Sequence, residues 1–263
     1  GEPVAATYNA QTGVIQPNQR LAEGQHSITY RYTDFAGNVG EEGAALQIVV
    51  DSIAPTTVLQ SPSLSQDSGY STTDWITQVA QQTIHAHLSQ ALTTGDTLRA
   101  SMDNGSTWVD ITAFVNGTTV NWTGVTLTQG TSTLHFQVVD GAGNEGTVVT
   151  QQVVLDTTAP TAPSQVADMQ AASDSQTNID NITRQTRPVF DIPALPADAV
   201  AIEMLVNGSV VAATVDNQAH TMQANAALVD GVHQVTYHFV DAAGNRSDPS
   251  AALPVTIDTR APA

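Results

Sequence analysis

Asp34-Phe-Ala-Gly-Asn38, Asp140-Gly-Ala-Gly-Asn144 and Asp241-Ala-Ala-Gly-Asn245 are three copies of one pentapeptide, spaced 106 and 101 residues apart. Each follows a segment that alternates apolar and polar residues: His26-Ser-Ile-Thr-Tyr-Arg-Tyr32, Leu134-His-Phe-Gln-Val-Val139 and His233-Gln-Val-Thr-Tyr-His-Phe239. Each also precedes a second apolar stretch that closes on a linker: Val50-Asp-Ser-Ile-Ala-Pro55, Leu155-Asp-Thr-Thr-Ala-Pro160 and Ile257-Asp-Thr-Arg-Ala-Pro262. Alternation with a period of two is the mark of a strand with one buried face. The Ala-Pro dipeptide is a stiff boundary, because proline fixes its own φ and restricts its predecessor. A period near 100 residues is one whole domain rather than a small solenoid unit.

The boundaries that follow are residues 1–51, 52–156 and 157–263, the last including the start of a further linker. Val4-Ala-Ala-Thr7 matches Val211-Ala-Ala-Thr214, and both run about 30 residues to the pentapeptide. Residues 1–51 therefore correspond to the second half of a repeat, with about four strands expected and the leading strands of a sandwich missing. Such a half leaves strand edges unpaired and part of a core open. Two readings stand: the half is a truncation, or its complement is supplied elsewhere, as in a split domain or by a partner chain.

Composition agrees with all-β architecture. Of the 263 residues 41% are hydrophobic, but only 5% are aromatic and 12% charged, leaving a large share of Thr, Ser, Asn, Gln and Gly suited to short strands and polar turns. Asp103-Asn-Gly105 and Asn207-Gly208 each sit between strand-like segments and predict tight hairpins. Leu92–Thr97 and Pro193–Val200 are the helix-turn candidates. Seven or so short strands per 100 residues predict tandem immunoglobulin-like β-sandwiches in an elongated array.

Charge narrows the function classes. Acidic residues number 25 against 7 basic ones, a formal charge of −18, and every basic residue is Arg. Such a surface repels nucleic acid. No apolar run approaches the roughly 18 residues of a membrane span. With no leader peptide in view, the chain reads as an internal fragment or a mature product. The absence of cysteine excludes disulfides, thiolate zinc sites and a cysteine nucleophile. No Gly-x-Ser-x-Gly elbow and no glycine-rich phosphate loop is present. The recurring carboxylates occupy repeat-equivalent positions, which suits architecture better than one active site, so no enzymatic activity is expected. The six Asn-x-Ser/Thr sequons, at Asn104, Asn116, Asn121, Asn181, Asn207 and Asn245, are expected to be unused.

Four segments in series carry a resemblance: Ser173-Asp-Ser-Gln-Thr-Asn-Ile-Asp180-Asn-Ile-Thr183, Leu228-Val-Asp-Gly-Val-His233, the pentapeptide at Asp241 and Ile257-Asp-Thr-Arg-Ala-Pro262. The second unit has the same series, beginning with Gln66-Asp-Ser-Gly-Tyr-Ser-Thr-Thr-Asp74. The combination resembles the bacterial immunoglobulin-like repeats of giant, type-I-secreted, calcium-dependent adhesins of the RTX type. The resemblance implies an extracellular or bacterial cell-surface location and a role in adhesion and biofilm formation. It implies an extender that holds a terminal binding region away from the cell. Its partners are then neighbouring repeats of the same polypeptide, with host-cell or surface glycans and proteins engaged by other regions. The rival reading is that the repeats themselves are the ligand-binding module for a glycan or protein.

Calcium is the implied cofactor. In an immunoglobulin-like sandwich the pentapeptide joins the last two strands at the end where the chain enters, so Asp51 is expected near Asp140 and Asn144, and Asp156 near Asp241 and Asn245. The segment between the first two strands lies at the opposite end and is expected to bring Asp67 and Asp74 to the second junction. Its equivalents Asp174 and Asp180 would stand near Asp258, and Asp34 occupies the matching loop of the half unit. Calcium takes six to eight oxygens at about 2.3–2.6 Å, carboxylates among them. The competing reading is a metal-free turn, with Gly in the left-handed region and Asp and Asn bonded to the loop backbone. A turn needs only one such Asp, and two facing Asp repel, which favours calcium for the linker Asp taken with the loop Asp.

Two further patterns are read as structural. Ser101-Met-Asp-Asn-Gly-Ser-Thr-Trp108 matches the Ser-x-Asp-x-Gly-x-x-Trp pattern that decorates hairpins in sialidases away from catalysis, and predicts a turn with Trp108 packed beneath it. His85 and His87 share a strand face, the one histidine spacing compatible with a transition metal, and a packing or surface role is expected.

Overall fold

A computed structural model describes residues 3–177 and 179–262. Gly1, Glu2, Asn178 and Ala263 fall outside the described residues. The chain is all-β. Unit one holds β1 (Ala6–Asn9), β2 (Val14–Pro17), β3 (Gly24–Ile28) and β4 (Leu46–Val50). Unit two holds β5 (Leu59–Leu64), β6 (Ile76–Thr77), β7 (Gln81–Leu88), β8 (Thr97–Ser101), β9 (Val109–Asp110), β10 (Val115–Asn116), β11 (Thr119–Thr126), β12 (Gly130–Val139) and β13 (Val149–Leu155). Unit three repeats the series with β14 (Asp168–Met169), β15 (Ile182–Thr183), β16 (Val189–Asp191), β17 (Ala201–Val206), β18 (Ser209–Val211), β19 (Ala213–Asp216), β20 (Thr221–Ala224), β21 (Gly231–Val240) and β22 (Leu253–Ile257).

Units two and three are sandwiches of one topology. A four-stranded sheet in the order β10-β11-β7-β5 faces a five-stranded sheet β6-β13-β12-β8-β9, and in unit three β14-β16-β20-β19 faces β15-β22-β21-β17-β18. Between its first two strands the chain crosses from one sheet to the other, and the second strand then pairs parallel with the last, β6 with β13 and β15 with β22. Among the described residues the other strands pair antiparallel. That crossing creates the loop that carries Asp67 and Asp74, or Asp174 and Asp180.

The cores follow from the alternation. Gln82, Ile84, Ala86 and Leu88 of β7 are buried while the residues between them are not. Opposite them Trp122 stands edge-on to Phe136 at 6.1 Å, inside a core that includes Leu98, Ile111 and Leu134. Unit three packs Tyr237, Phe190, Met204 and Met222, with Tyr237 edge-on to Phe239 at 5.9 Å. Each large apolar side chain so buried contributes about 1.5–3 kcal/mol. Gln82 is the polar residue in the buried row of β7, and its amide is fully used. It accepts from Ser65 Oγ and Gln66 N and donates to the carbonyls of Gln66 and Val79, which pins the sheet-crossing loop to the core.

Both Asn-Gly pairs adopt paired positive φ, 60 and 84 at Asn104 and Gly105 and 52 and 79 at Asn207 and Gly208. Asn207-Gly208 closes a two-residue hairpin between Val206 and Ser209, as expected. The tight hairpin expected at Asn104-Gly105 is corrected to a turn within the longer loop that joins β8 to β9, where Ser106 N donates to Asp103 O at 3.3 Å. The helix-turn candidates are corrected to single turns: Asp96 N donates to Thr93 O at 3.1 Å and Ala199 N to Pro196 O at 3.1 Å. One hydrogen bond fixing several dihedrals does not propagate into a helix without an apolar face to bury. The single helical turn among the described residues, a 3-10 turn at Thr112–Phe114, lies elsewhere.

Unit one differs from both. It has a β1–β2 hairpin and a β3–β4 ribbon, each of two strands only. The two hydrophobic cores found among the described residues span Leu59–Leu155 and Ala167–Ile257. Tyr8, Ile15, Tyr30, Tyr32 and Leu46 of unit one are exposed.

Candidate functional site

The pentapeptide loop builds itself around its Asp. Asp140 Oδ1 accepts the backbone N–H of Ala142 (2.9 Å) and of Asn144 (2.8 Å), and its Oδ2 accepts the side chain of Asn144 at 2.9 Å. Asp34 does the same with Ala36 and Asn38, and Asp241 bonds both the backbone and the side chain of Asn245. The glycine at the fourth position has φ 86, 91 and 93 in the three copies, a conformation that disfavours any Cβ. Bonds from Asn38 and Asn144 hold the carboxyls of Asp34 and Asp140 below their ordinary range.

The same asparagine has a second partner. Asn144 Nδ2 donates to the carbonyl of Asp51 at 3.0 Å, and Asn245 Nδ2 donates to the carbonyl of Asp156 at 2.8 Å. The linker entering each sandwich is therefore clamped by one side chain that reaches both the loop carboxylate and the linker backbone. Linker Asp and loop residues do meet, with the asparagine amide as the bridge. The linker carboxylates cap their own turns: Asp51 Oδ1 accepts Ile53 N, Asp156 Oδ1 accepts Thr158 N and Gln129 Nε2, and Asp258 Oδ1 accepts Arg260 N. Among the described residues, no three Asp, Glu or His side chains gather as a metal-binding group.

Each sheet-crossing loop carries two carboxylates, and each accepts a backbone N–H of its own loop. Asp67 Oδ2 accepts Trp75 N at 3.0 Å, and Asp174 Oδ2 accepts Asn181 N at 3.1 Å. The second Asp of each loop caps the next strand, Asp74 Oδ1 through Ile76 N and Asp180 Oδ1 through Ile182 N, both at 3.1 Å. Trp75 (φ 64) and Asn181 (φ 58) occupy the left-handed region at equivalent positions, a strain normally relieved with glycine. In both loops the remaining oxygen of the first Asp, Asp67 Oδ1 and Asp174 Oδ1, is buried without a hydrogen-bond partner among the described residues. Burial, with a smaller push from the Asp74 charge, raises the Asp67 carboxyl above its ordinary value. A buried carboxylate oxygen with nothing to accept is costly, and its recurrence in two repeats marks a built feature. These are the residues present that fit a hard cation: a free carboxylate oxygen, with a second carboxylate seven or six residues further along the same loop.

The second junction closes on this loop. Ser68 Oγ donates to Ala243 O at 2.8 Å, and Tyr70 N to Ala242 O at 3.3 Å. Gly69 lies so close that a Cβ there would stand 2.0 Å from Ala242 O. The Asp241–Asn245 loop is accordingly covered, with Ala243 at 1% exposure. A cleft of about 280 Å³ beside it is lined by Tyr70, Gln78, Glu203 and Arg246. Arg246 and His238 both bond Glu203, with Arg246 the larger cause of its carboxyl being held at about 2. At the first junction the corresponding Gly141 and Ala142 are exposed and line a cleft of about 630 Å³.

Remaining candidates resolve as packing. Asp103 of the Ser101–Trp108 hairpin is held at about 2 by the hydroxyl and N–H of Thr107, then Ser101, and Trp108 is half-buried under Arg99, whose guanidinium carbon lies 4.6 Å from the ring centre. His85 Nδ1 pairs with the Asn121 side chain at 2.8 Å on the outer face of β7, and His87 is exposed on the same face. The sequence reading missed the clamp to the linker carbonyls and the orphaned oxygens. The matched Asn144 and Asn245 at fixed distance from Asp51 and Asp156 were a signal for the first; burial of one carboxylate oxygen leaves none for the second.

The geometry defines a tandem of immunoglobulin-like sandwiches joined end to end through Asp-x-Ala-Gly-Asn loops. The profile of the bacterial Ig-like domain matches residues 54–157 and again 161–259, and the chain belongs to that family. Solved structures of similar fold include chicken CNTN1 FN1–FN3 domains (12% identity, TM-score 0.42, covering 87% of this chain and 76% of that one). A tetra-tandem repeat in the extending region of a large adhesion protein is 18% identical at TM-score 0.28, over 91% of this chain and 58% of that one. The BSP domain of a biofilm associated protein is 14% identical at TM-score 0.24, over 97% and 46%. A search of curated proteins gave no match. Among the described residues no helix is long and apolar enough to cross a membrane.

Proposed function

We propose that the chain is an extender segment of a secreted bacterial surface adhesin, a stalk of tandem sandwiches whose joints are stiffened by calcium. The observation that carries the stalk is the clamp: the same asparagine bond fixes the entering linker at both junctions, Asn144 to Asp51 and Asn245 to Asp156. A module whose purpose is to hold its neighbours at a set distance needs a joint that resists bending, and the second junction adds backbone contacts through Ser68 and Tyr70. The recurring motif series quoted above supports a surface adhesin as the parent. Domains of this class are typically structural modules.

Calcium fits the sheet-crossing loops better than the pentapeptide loops. The pentapeptide carboxylates already accept two or three internal bonds, whereas Asp67 Oδ1 and Asp174 Oδ1 accept none. Asp67 with Asp74, and Asp174 with Asp180, would hold the ion, and bound calcium would supply the positive charge that offsets a desolvated carboxylate. Small-angle scattering and thermal unfolding with calcium and with chelator test the reading. The expected result is a narrower distribution of inter-unit distances and a higher melting temperature in calcium. Identical curves in both conditions remove calcium from the proposal, and a broad distance distribution in both removes the stiff stalk.

A further inference from the structure

Unit one is a folded copy of half of unit three. Residue n of unit one corresponds to residue n + 207 without a gap, from Val4 and Val211 to Pro55 and Pro262. The local bonds are duplicated. Thr7 Oγ1 donates to Asn18 Oδ1 at 2.7 Å as Thr214 does to Asn225, and His26 Nε2 meets Ala22 O at 2.7 Å as His233 meets Val229 O at 2.8 Å. Strand registers also match, Ala6 opposite Pro17 as Ala213 opposite Ala224, and Gly24 opposite Val50 as Gly231 opposite Ile257.

Burial is what differs. Ile15 is 44% exposed and its equivalent Met222 fully buried; Tyr30 is 51% exposed and Tyr237 fully buried. Even the aromatic pair is kept, Tyr30 edge-on to Tyr32 at 5.7 Å as Tyr237 is to Phe239, but both of its rings are exposed. In unit three the cover comes from the leading half: β16 pairs with β20, β17 with β21, and β15 runs parallel beside β22. Among the described residues, the corresponding edges of β2, β3 and β4 carry no third strand. The open cleft at the first junction points the same way. It is lined by Gly141 and Ala142, whose equivalents Ala242 and Ala243 are covered at the second junction by the sheet-crossing loop of the leading half of unit two.

We propose that the open faces of unit one, together with the cleft at the first junction, form one acceptor surface for a leading half-repeat. Its occupant is a polypeptide segment built like residues 161–207 of this chain, which supplies strands to the edges of β2, β3 and β4 and apolar side chains at the places of Phe190, Ile202 and Met204. Its sheet-crossing loop enters the 630 Å³ cleft and meets Gly141 and Ala142 as Ser68 and Tyr70 meet Ala242 and Ala243. The segment completes a core and a joint in one step, as strand addition does elsewhere. The occupant is specified by register: each residue n of unit one takes the place of residue n + 207, so the segment stands where the leading half stands in unit three.

The test is a fusion at that register. Residues 161–207 are placed directly ahead of Gly1, and a second version uses the leading half of unit two, residues 54–103, since strand register puts Asp103 at the place of Asn207. Because the chain has no cysteine, Ile15→Cys gives a single thiol reporter on the buried-to-be face, and Gln25→Cys, whose equivalent Val232 is 62% exposed, gives a control. Maleimide labelling of the Ile15 reporter is expected to slow at least about tenfold on fusion with the Gln25 control unchanged, and amides of β1–β4 are expected to gain hydrogen-exchange protection. Unchanged labelling in both fusions overturns the proposal. So does an unfused chain that is dimeric by light scattering with the Ile15 reporter already protected, since a second copy would then be the occupant.

Discussion

Asp67→Asn removes the charge from a buried carboxylate whose Oδ1 has no partner, and it is nearly isosteric. In the calcium-free chain this substitution is expected to stabilise unit two. Leaving a buried polar atom unsatisfied costs about 1–3 kcal/mol, and more when the group is charged. Asparagine still leaves one buried polar atom unpaired, so the net gain is expected to be about 1 kcal/mol, read as a rise of roughly 4–8 °C in the melting of a unit of this size. The pH dependence fixes the sign. Burial raises the Asp67 carboxyl in the folded state, so the fold binds more protons than the unfolded chain between the ordinary 3.8 and the raised value. Stability through this group therefore falls as pH rises across that window, and the substitution removes the slope. Calcium reverses the ranking. At about a hundred times its dissociation constant a ligand adds about 2.7 kcal/mol to the fold that binds it. The natural chain should then gain this increment and the variant should not. Thermal unfolding in calcium and in chelator, followed by the fluorescence of the three tryptophans, all of which lie in unit two, reads both arms. A variant less stable than the natural chain in chelator, or an equal calcium gain in both, refutes the reasoning.

Gly69→Ala at the second junction forces a Cβ to 2.0 Å from Ala242 O at φ 108, a strain of about 1–3 kcal/mol; scattering should show a looser junction while hydrogen exchange in both cores is unchanged. Met222→Ala is expected to cost unit three about 2–5 kcal/mol in denaturant unfolding, whereas Ile15→Ala at the matching place in exposed unit one should stay within about 0.5 kcal/mol. Glu203 is held at about 2, chiefly by Arg246 and then His238, against its ordinary 4.5, so its contribution is complete above about 4.5 and is lost as pH falls toward 2; Glu203→Gln should flatten the acid side of the stability profile of unit three.

The fold was legible because two independent signals repeat together. The pentapeptide marks the turn between the last two strands, and Asp-x-x-Ala-Pro marks the exit from the last. Alternation then assigns β7 to one buried face, and it marks the core-facing residues at the start of β12, β17 and β21, which further along are buried on both faces. The two-residue strands β6 and β15 were invisible, since two residues carry no periodicity, and their parallel pairing is imposed by tertiary packing. The candidate site was legible as a set of recurring residues but not as an arrangement. Asp51 and Asp156 were expected to present carboxylates to the loops. They present carbonyls instead, because each carboxylate is satisfied at closer range by the N–H two residues on.

That exchange of roles bears on what each residue of the motif does. A loop Asp that accepts only from its own backbone would order the turn and leave the linker free. The asparagine four residues later changes this, because its amide has two N–H donors: one completes the loop at Asp140 Oδ2, the other takes the linker carbonyl. Aspartate at the same place would supply no donor and would set two carboxylates against each other. Unit one keeps the pair, Asn38 Nδ2 to Asp34 Oδ2, in a loop that is wholly exposed. The turn therefore forms from local chemistry alone, and the joint requires in addition a linker carbonyl within reach of the second N–H. Covering the loop is a third and separate step. It is complete where the sheet-crossing loop of unit two lies on unit three, and incomplete over Gly141 and Ala142, where the neighbouring unit is the half that lacks that loop.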